Sequence, residues 1–126
     1  MENEQKKKNY GSVENLLLFQ KFESFIKYFE PIIERFPRYE HFALCTDIKQ
    51  VLHRTIELII VTNRSRNKLS GLYNIDTQLE ILRFYVRYSY SKGSKYLSFH
   101  SYETAEKKLT EIGCILGGLI KKIGNQ

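Results

Sequence analysis

Large apolar residues recur along two stretches of this chain at alternating steps of three and four. Leu18, Phe22, Phe25, Phe29, Ile32 and Phe36 do so near the start, and Tyr102, Ala105, Leu109, Ile112, Leu116, Leu119 and Ile123 near the end. An α-helix turns by about 100° per residue, so such steps keep every member on one face, and that face must be buried against other helices. No stretch alternates apolar and polar residues in the way a half-buried strand requires. The chain is therefore expected to be all-α.

Two more helical patterns fill the middle. In residues 39–67 the stripe is Cys45, Ile48, Leu52, Ile56, Ile59 and Asn63, widened on one side by Leu44, Val51, Thr55, Leu58 and Thr62. Gln50, Arg54, Glu57, Val61 and Arg64 line the outer side. The next pattern covers residues 74–90, with Asn74 as the expected N-cap. Phe36-Pro37 should end the first helix, because a residue before proline is pushed out of the α region. Pro31 lies inside that helix and should kink it by removing the amide that would bond the Lys27 carbonyl. Ser70-Gly71 reads as a turn, Gly93 as the residue that stops the third helix, and Ser98 as the N-cap of the fourth. Four long amphipathic helices with short connections predict an up-down-up-down four-helix bundle over residues 12–126. Residues 1–11, with Lys6, Lys7 and Lys8 in a row, read as a flexible basic tail.

The third pattern has one apolar stripe too many for a monomer. Ile75, Leu79, Leu82, Val86 and Ser89 share one sector, and Thr77, Ile81, Phe84 and Tyr88 lie nearly opposite. A helix that packs only into its own bundle needs a single stripe. The second predicts self-association through Thr77, Ile81, Phe84 and Tyr88. Asp76, Glu80, Arg83 and Arg87 occupy the edge between the two stripes.

Charge points to a partner of the opposite sign. The chain has 126 residues, with 20 Lys and Arg against 14 Asp and Glu, a formal net charge of +6. Residues 1–35 balance at six of each sign, whereas residues 36–70 carry six basic and three acidic, and residues 71–97 four and two. The surplus thus lies mostly in the middle, where a basic surface favours phosphate or an acidic protein. The candidate contacts are Arg83 and Arg87, extended by Arg54, Arg64, Arg66, Lys68, Lys92 and Lys95. Arginine suits phosphate because its planar fork can engage two oxygens at once. The competing readings are a solvated positive face, an i, i+3 pairing of Glu80 with Arg83, and, for Arg64, Arg66 and Lys68, service to a helix C-terminus. Tyr85, Tyr88 and Tyr90 interleave with the arginines, and Tyr90 is left as a candidate for base stacking.

Catalytic and metal chemistry find no pattern. There is no HExxH, GxSxG, Walker loop or GxGxxG. His41, His53 and His100 fall on three segments without a carboxylate at ligand spacing, and Glu30 with Glu34 lacks the Glu-x-x-His partners of a di-iron bundle. No enzyme, metal or cofactor is expected. Cys45 and Cys114 are isolated thiols, which fits a reducing, cytoplasmic setting, and Cys114 should lie away from the bundle centre. The charged residues 1–9 are followed by no apolar signal region, and no apolar run is long enough to span a membrane. Gly113 and Gly117, one turn apart, each cost about 1 kcal/mol in a helix relative to alanine. They are read as the place where another helix backbone comes close.

Some segments resemble a known family. Phe36-Pro37-Arg38 followed by Glu40-His41-Phe42 is similar to a Phe-Pro-Lys/Arg…Glu-Arg-Phe junction between its first two helices. Leu97-Ser98, Tyr102 and the run from Glu111 through Ile112, Gly113, Cys114, Ile115, Leu116, Gly117, Gly118, Leu119 and Ile120 to Lys121 resemble its C-terminal signature. The family is the accessory variability determinant (Avd) of diversity-generating retroelements, within a wider group that includes the S23-like bundles. The resemblance covers about residues 15–123. His41 and Cys114 stand where the family more often has a basic residue, and Leu119 where it has an aromatic one. The resemblance implies a non-enzymatic partner of the retroelement reverse transcriptase. It also implies a homopentameric ring of bundles that binds RNA or DNA and supports mutagenic copying of a template-repeat RNA. An S23-like bundle that binds structured RNA, and a protein-only adaptor, are the alternatives.

Overall fold

The computed structural model describes residues 13–125, and among them the only regular elements are helical. The helices are α1 (Val13–Glu34), α2 (Leu44–Arg64), α3 (Lys68–Ser91) and α4 (Phe99–Gly124), with a 3-10 turn at Arg38–Glu40. Each packs on the one before it and α4 closes against α1, which is the expected four-helix bundle. The basic tail assigned to residues 1–11 lies outside the described residues.

The stripes read from the sequence form the core. Phe22, Phe25 and Phe29 of α1 are fully buried, with the last two rings stacked at 5.4 Å. Ile48, Leu52 and Ile59 of α2, Ile75, Leu79, Leu82 and Val86 of α3, and Ala105, Leu109, Ile112 and Leu116 of α4 meet them. Ile33 and Leu72, absent from the predicted stripes, are buried as well. Helix α1 runs through Pro31, which sits on its exposed side. Ser98 caps α4 by accepting a hydrogen bond from the Ser101 amide at 3.1 Å, and Gly93 follows α3 with φ of 116°.

Two boundaries differ from the expectation. Residues 39–43 are not the start of α2: the chain first makes the 3-10 turn, and α2 begins at Leu44. Helix α3 begins at Lys68, so Asn74 is an interior residue and Ser70-Gly71 is not a turn. The physical reason is Lys68. Its ammonium folds back onto the end of α2 and donates to the carbonyls of Asn63 at 2.7 Å, Ser65 at 3.0 Å and Thr62 at 3.4 Å. That satisfies acceptors a helix end leaves open, so three residues suffice to reverse the chain.

The close approach also lies elsewhere than expected. A side chain on Gly117 would meet nothing within 4 Å, and one on Gly113 would meet the tip of Arg83 rather than a backbone. The packed glycine is Gly71: a Cβ there would lie 2.3 Å from Thr62 Oγ1. Thr62 is buried on α2, so Gly71 is where the second and third helices press together.

Candidate nucleic-acid and assembly surfaces

The second stripe of α3 points away from the bundle. Phe84 and Tyr88 are 52% and 41% exposed, and their rings stack at 5.7 Å. Thr77 is exposed, whereas Ile81 is half-buried at the margin of the core. Because α3 starts early, Tyr73 joins the same line one turn before Thr77, and it is 54% exposed. Helical phase alone misses Tyr73, because the neighbouring Ser70-Gly71 reads as a turn. Val61 of α2 is also exposed. The result is an apolar, partly aromatic strip along one side of the molecule, the kind of surface that interfaces favour.

The eight candidate cations divide into two groups. Arg54, Arg64, Arg66, Arg87 and Lys95 are exposed and make no ion pair or hydrogen bond among the described residues. The other three are committed to the fold. Lys68 holds the end of α2, and burial lowers its pKa. Arg83 pairs with Glu80 one turn back and donates to the Leu109 carbonyl of α4 at 3.4 Å, its guanidinium lying over Gly113. Gly113 thus makes room for an arginine. The expected likeness of Arg83 and Arg87 fails here: four residues turn the side chain by about 40°, enough to put Arg83 in the α3–α4 groove and leave Arg87 outside. Lys92 is bound by Glu40 at 3.0 Å.

Glu40 is the residue that sequence reasoning missed. It sits on the 3-10 turn between α1 and α2, and its carboxylate is buried. Tyr96, on the connection between α3 and α4, donates its hydroxyl to Glu40 at 2.5 Å, and the Tyr39 and Tyr96 hydroxyls are 3.2 Å apart. Tyr96 also packs on Phe36 at 5.0 Å, and Lys92 lies over its ring at 5.5 Å. The up-down order puts both connections at one end of the bundle, and this cluster fastens them together. The Tyr96 hydrogen bond, followed by that of Lys92, holds the Glu40 carboxyl below the usual carboxylate range. The same bond pushes the Tyr96 phenol upward.

Those shifts fix a pH window. A carboxyl with a lowered folded pKa stabilises above its unfolded pKa of about 4.3, and that contribution fades as pH falls through the folded value. A phenol with a raised pKa stabilises below about 10 and loses the contribution as pH rises further. Glu40→Gln should therefore lower the melting temperature near neutrality by roughly 5 °C. The gap between variant and parent should narrow below about pH 4. Melting curves across pH check this, and a gap that stays constant into acid would disprove the role of the charge.

His53 meets Glu30 of α1 at 3.3 Å and Lys49 meets Glu34 at 3.7 Å, exposed pairs that contribute little. Cys45 donates its thiol to the Ile33 carbonyl at 3.1 Å, and burial raises its pKa, so it is a packing residue; Cys114 is exposed. Tyr90 stacks on Tyr102 at 4.2 Å and leans on Phe99, so one of its faces is already covered. No group of three His, Cys, Asp or Glu comes together among the described residues. No described helix is long and apolar enough to cross a membrane.

A family model described as bAvd-like matches residues 16–123, which takes in the second and third helices and nearly all of the first and fourth. The chain belongs to the bAvd-like family. No curated protein matches it. Membership in the bAvd-like family suggests an accessory, non-catalytic protein of a diversity-generating retroelement. The bAvd-like match also spans both surfaces described above, the apolar strip of α3 and the unpaired cations of α2, α3 and the connections that follow them.

Proposed function

We propose that this chain is the accessory protein of a diversity-generating retroelement, binding its reverse transcriptase and template-repeat RNA as a homopentameric ring of bundles. The family match over the whole bundle carries this reading. The outward strip of Tyr73, Thr77, Ile81, Phe84 and Tyr88 supports self-association, with head-to-tail contacts as a closed ring requires. Arg54, Arg64, Arg66, Arg87 and Lys95 support binding to phosphate, because cations without internal partners can neutralise a backbone without first breaking an ion pair. Arg83, Lys68 and Lys92 would join them only by giving up the bonds they now make. Repeated around a ring, the five would form belts that follow a backbone without reading bases.

The test is Arg54→Ala combined with Arg87→Ala. Both side chains are exposed, so oligomeric state and melting temperature should stay within experimental scatter. RNA affinity should fall on the order of tenfold for all sequences alike. The slope of log K against log salt should flatten by about 1 for each phosphate that is no longer neutralised. Unchanged affinity for both RNA and the reverse transcriptase would refute the assignment. Loss of reverse-transcriptase binding with intact RNA binding would instead identify a protein-only adaptor surface.

A further inference from the structure

The end of the bundle fastened by Glu40 has a chemistry of its own. Its two connections, residues 35–43 and 91–100, carry Arg35, Arg38, Lys92 and Lys95 against one carboxylate, Glu40, which Lys92 and Tyr96 already bind. The surface that remains is positive, and Arg35, Arg38 and Lys95 have no ion pair among the described residues. Between these cations stand rings with most of their surface in solvent, although the Tyr39 hydroxyl meets that of Tyr96 and Phe99 touches Tyr90. Phe42 is 97% exposed, Tyr39 77% and Phe99 63%. Burying a phenylalanine contributes a few kcal/mol to a fold, and Phe42 on its turn contributes almost none of that. The large exposed apolar side chains here are all aromatic, whereas the side of the molecule also exposes Ile60 and Val61.

Exposed rings set among Arg35, Arg38 and Lys95, with Arg38 directly beside Tyr39 in the chain, match unpaired bases linked by phosphates. Each base presents a flat face for a ring and each linkage a charge for a cation. A duplex hides its base faces and offers only the charge. We infer that the end face formed by Tyr39, Phe42 and Phe99, with Arg35, Arg38 and Lys95, is a docking surface for single-stranded RNA. The Glu40–Tyr96–Lys92 cluster is its frame, because it fixes the turn that carries Tyr39 and Phe42 against the connection that leads to Phe99. This rests on the reading that the chain binds nucleic acid, but apart from Lys95 it concerns different residues from the belt on the sides.

The chain contains no tryptophan, so Phe42→Trp places a single reporter on the surface. In the full-length protein, saturation with a short oligouridylate should quench its emission, and a duplex RNA of equal length should not. Phe42→Ala with Phe99→Ala should weaken oligouridylate binding at least about tenfold and duplex binding less than twofold, with the melting temperature unchanged. An unquenched tryptophan at saturation overturns the inference, as does equal loss for single strand and duplex, or no loss for either. Intact single-strand affinity with loss of reverse-transcriptase binding would make the end face a protein contact and also overturn it. The two readings fail separately. If the phenylalanine variants bind like the parent while Arg54→Ala with Arg87→Ala does not, the end face is excluded and the belt stands.

Discussion

Phe84→Glu should turn the assembled protein into folded monomers. Phe84 is half-exposed on α3 and its ring stacks on Tyr88, outside the core that holds the bundle together. A carboxylate there would have to be desolvated in any contact between copies, at a cost of several kcal/mol. In the isolated subunit it would stay in water. Light scattering should therefore show a fall from oligomer to single-chain mass while helical content is kept. Wild-type protein that is already monomeric at micromolar concentration would remove the basis for the second stripe. A variant that loses its helices would show that Phe84 serves the bundle instead.

Gly71→Ala should lower bundle stability by about 1–3 kcal/mol, although alanine is the better helix former by nearly 1 kcal/mol. The added methyl would sit 2.3 Å from Thr62 Oγ1 and 2.8 Å from Thr62 Cγ2. Thr62 is buried, so it has little room to turn away. Gly117→Ala is the internal control, since nothing lies within 4 Å of the new methyl and only the propensity gain remains. Thermal melts should place the two variants on opposite sides of the parent. A Gly71→Ala protein that melts at or above the parent would mean that α2 and α3 are not in tight contact there.

The sequence made some of this plain and concealed the rest for identifiable reasons. The α1 and α4 stripes were legible because one 3-4 rhythm runs unbroken through each, and burial follows it from Leu18 to Phe36 and from Ala105 to Leu119. The start of α3 was hidden because glycine beside serine ordinarily signals a turn, and only the tertiary contact with Thr62 shows Gly71 to be a packing residue. Arg83 and Arg87 look alike on a helical wheel. Their difference depends on where α4 lies, which no single-helix projection contains. The Glu40 cluster joins residues 52 and 56 apart and exists only once the up-down order has brought two connections to one end. Arg54, by contrast, was readable as an outward cation from helical phase alone.

The cluster around Glu40 also makes the two ends of the bundle unequal in how readily they open. At its end the two helical hairpins are tied by a buried carboxylate, a phenol and an ammonium. At the other end α1 begins and α4 finishes, held across by Lys122 and Glu14 at 3.7 Å, both half-exposed, with Val13 and Leu16 open to solvent. Exposed pairs of that kind resist fraying weakly. Amide exchange is therefore expected to be faster at the first turn of α1 and the last turn of α4 than at the tied connections. The exposed rings of Tyr39, Phe42 and Phe99 stand at the tied end.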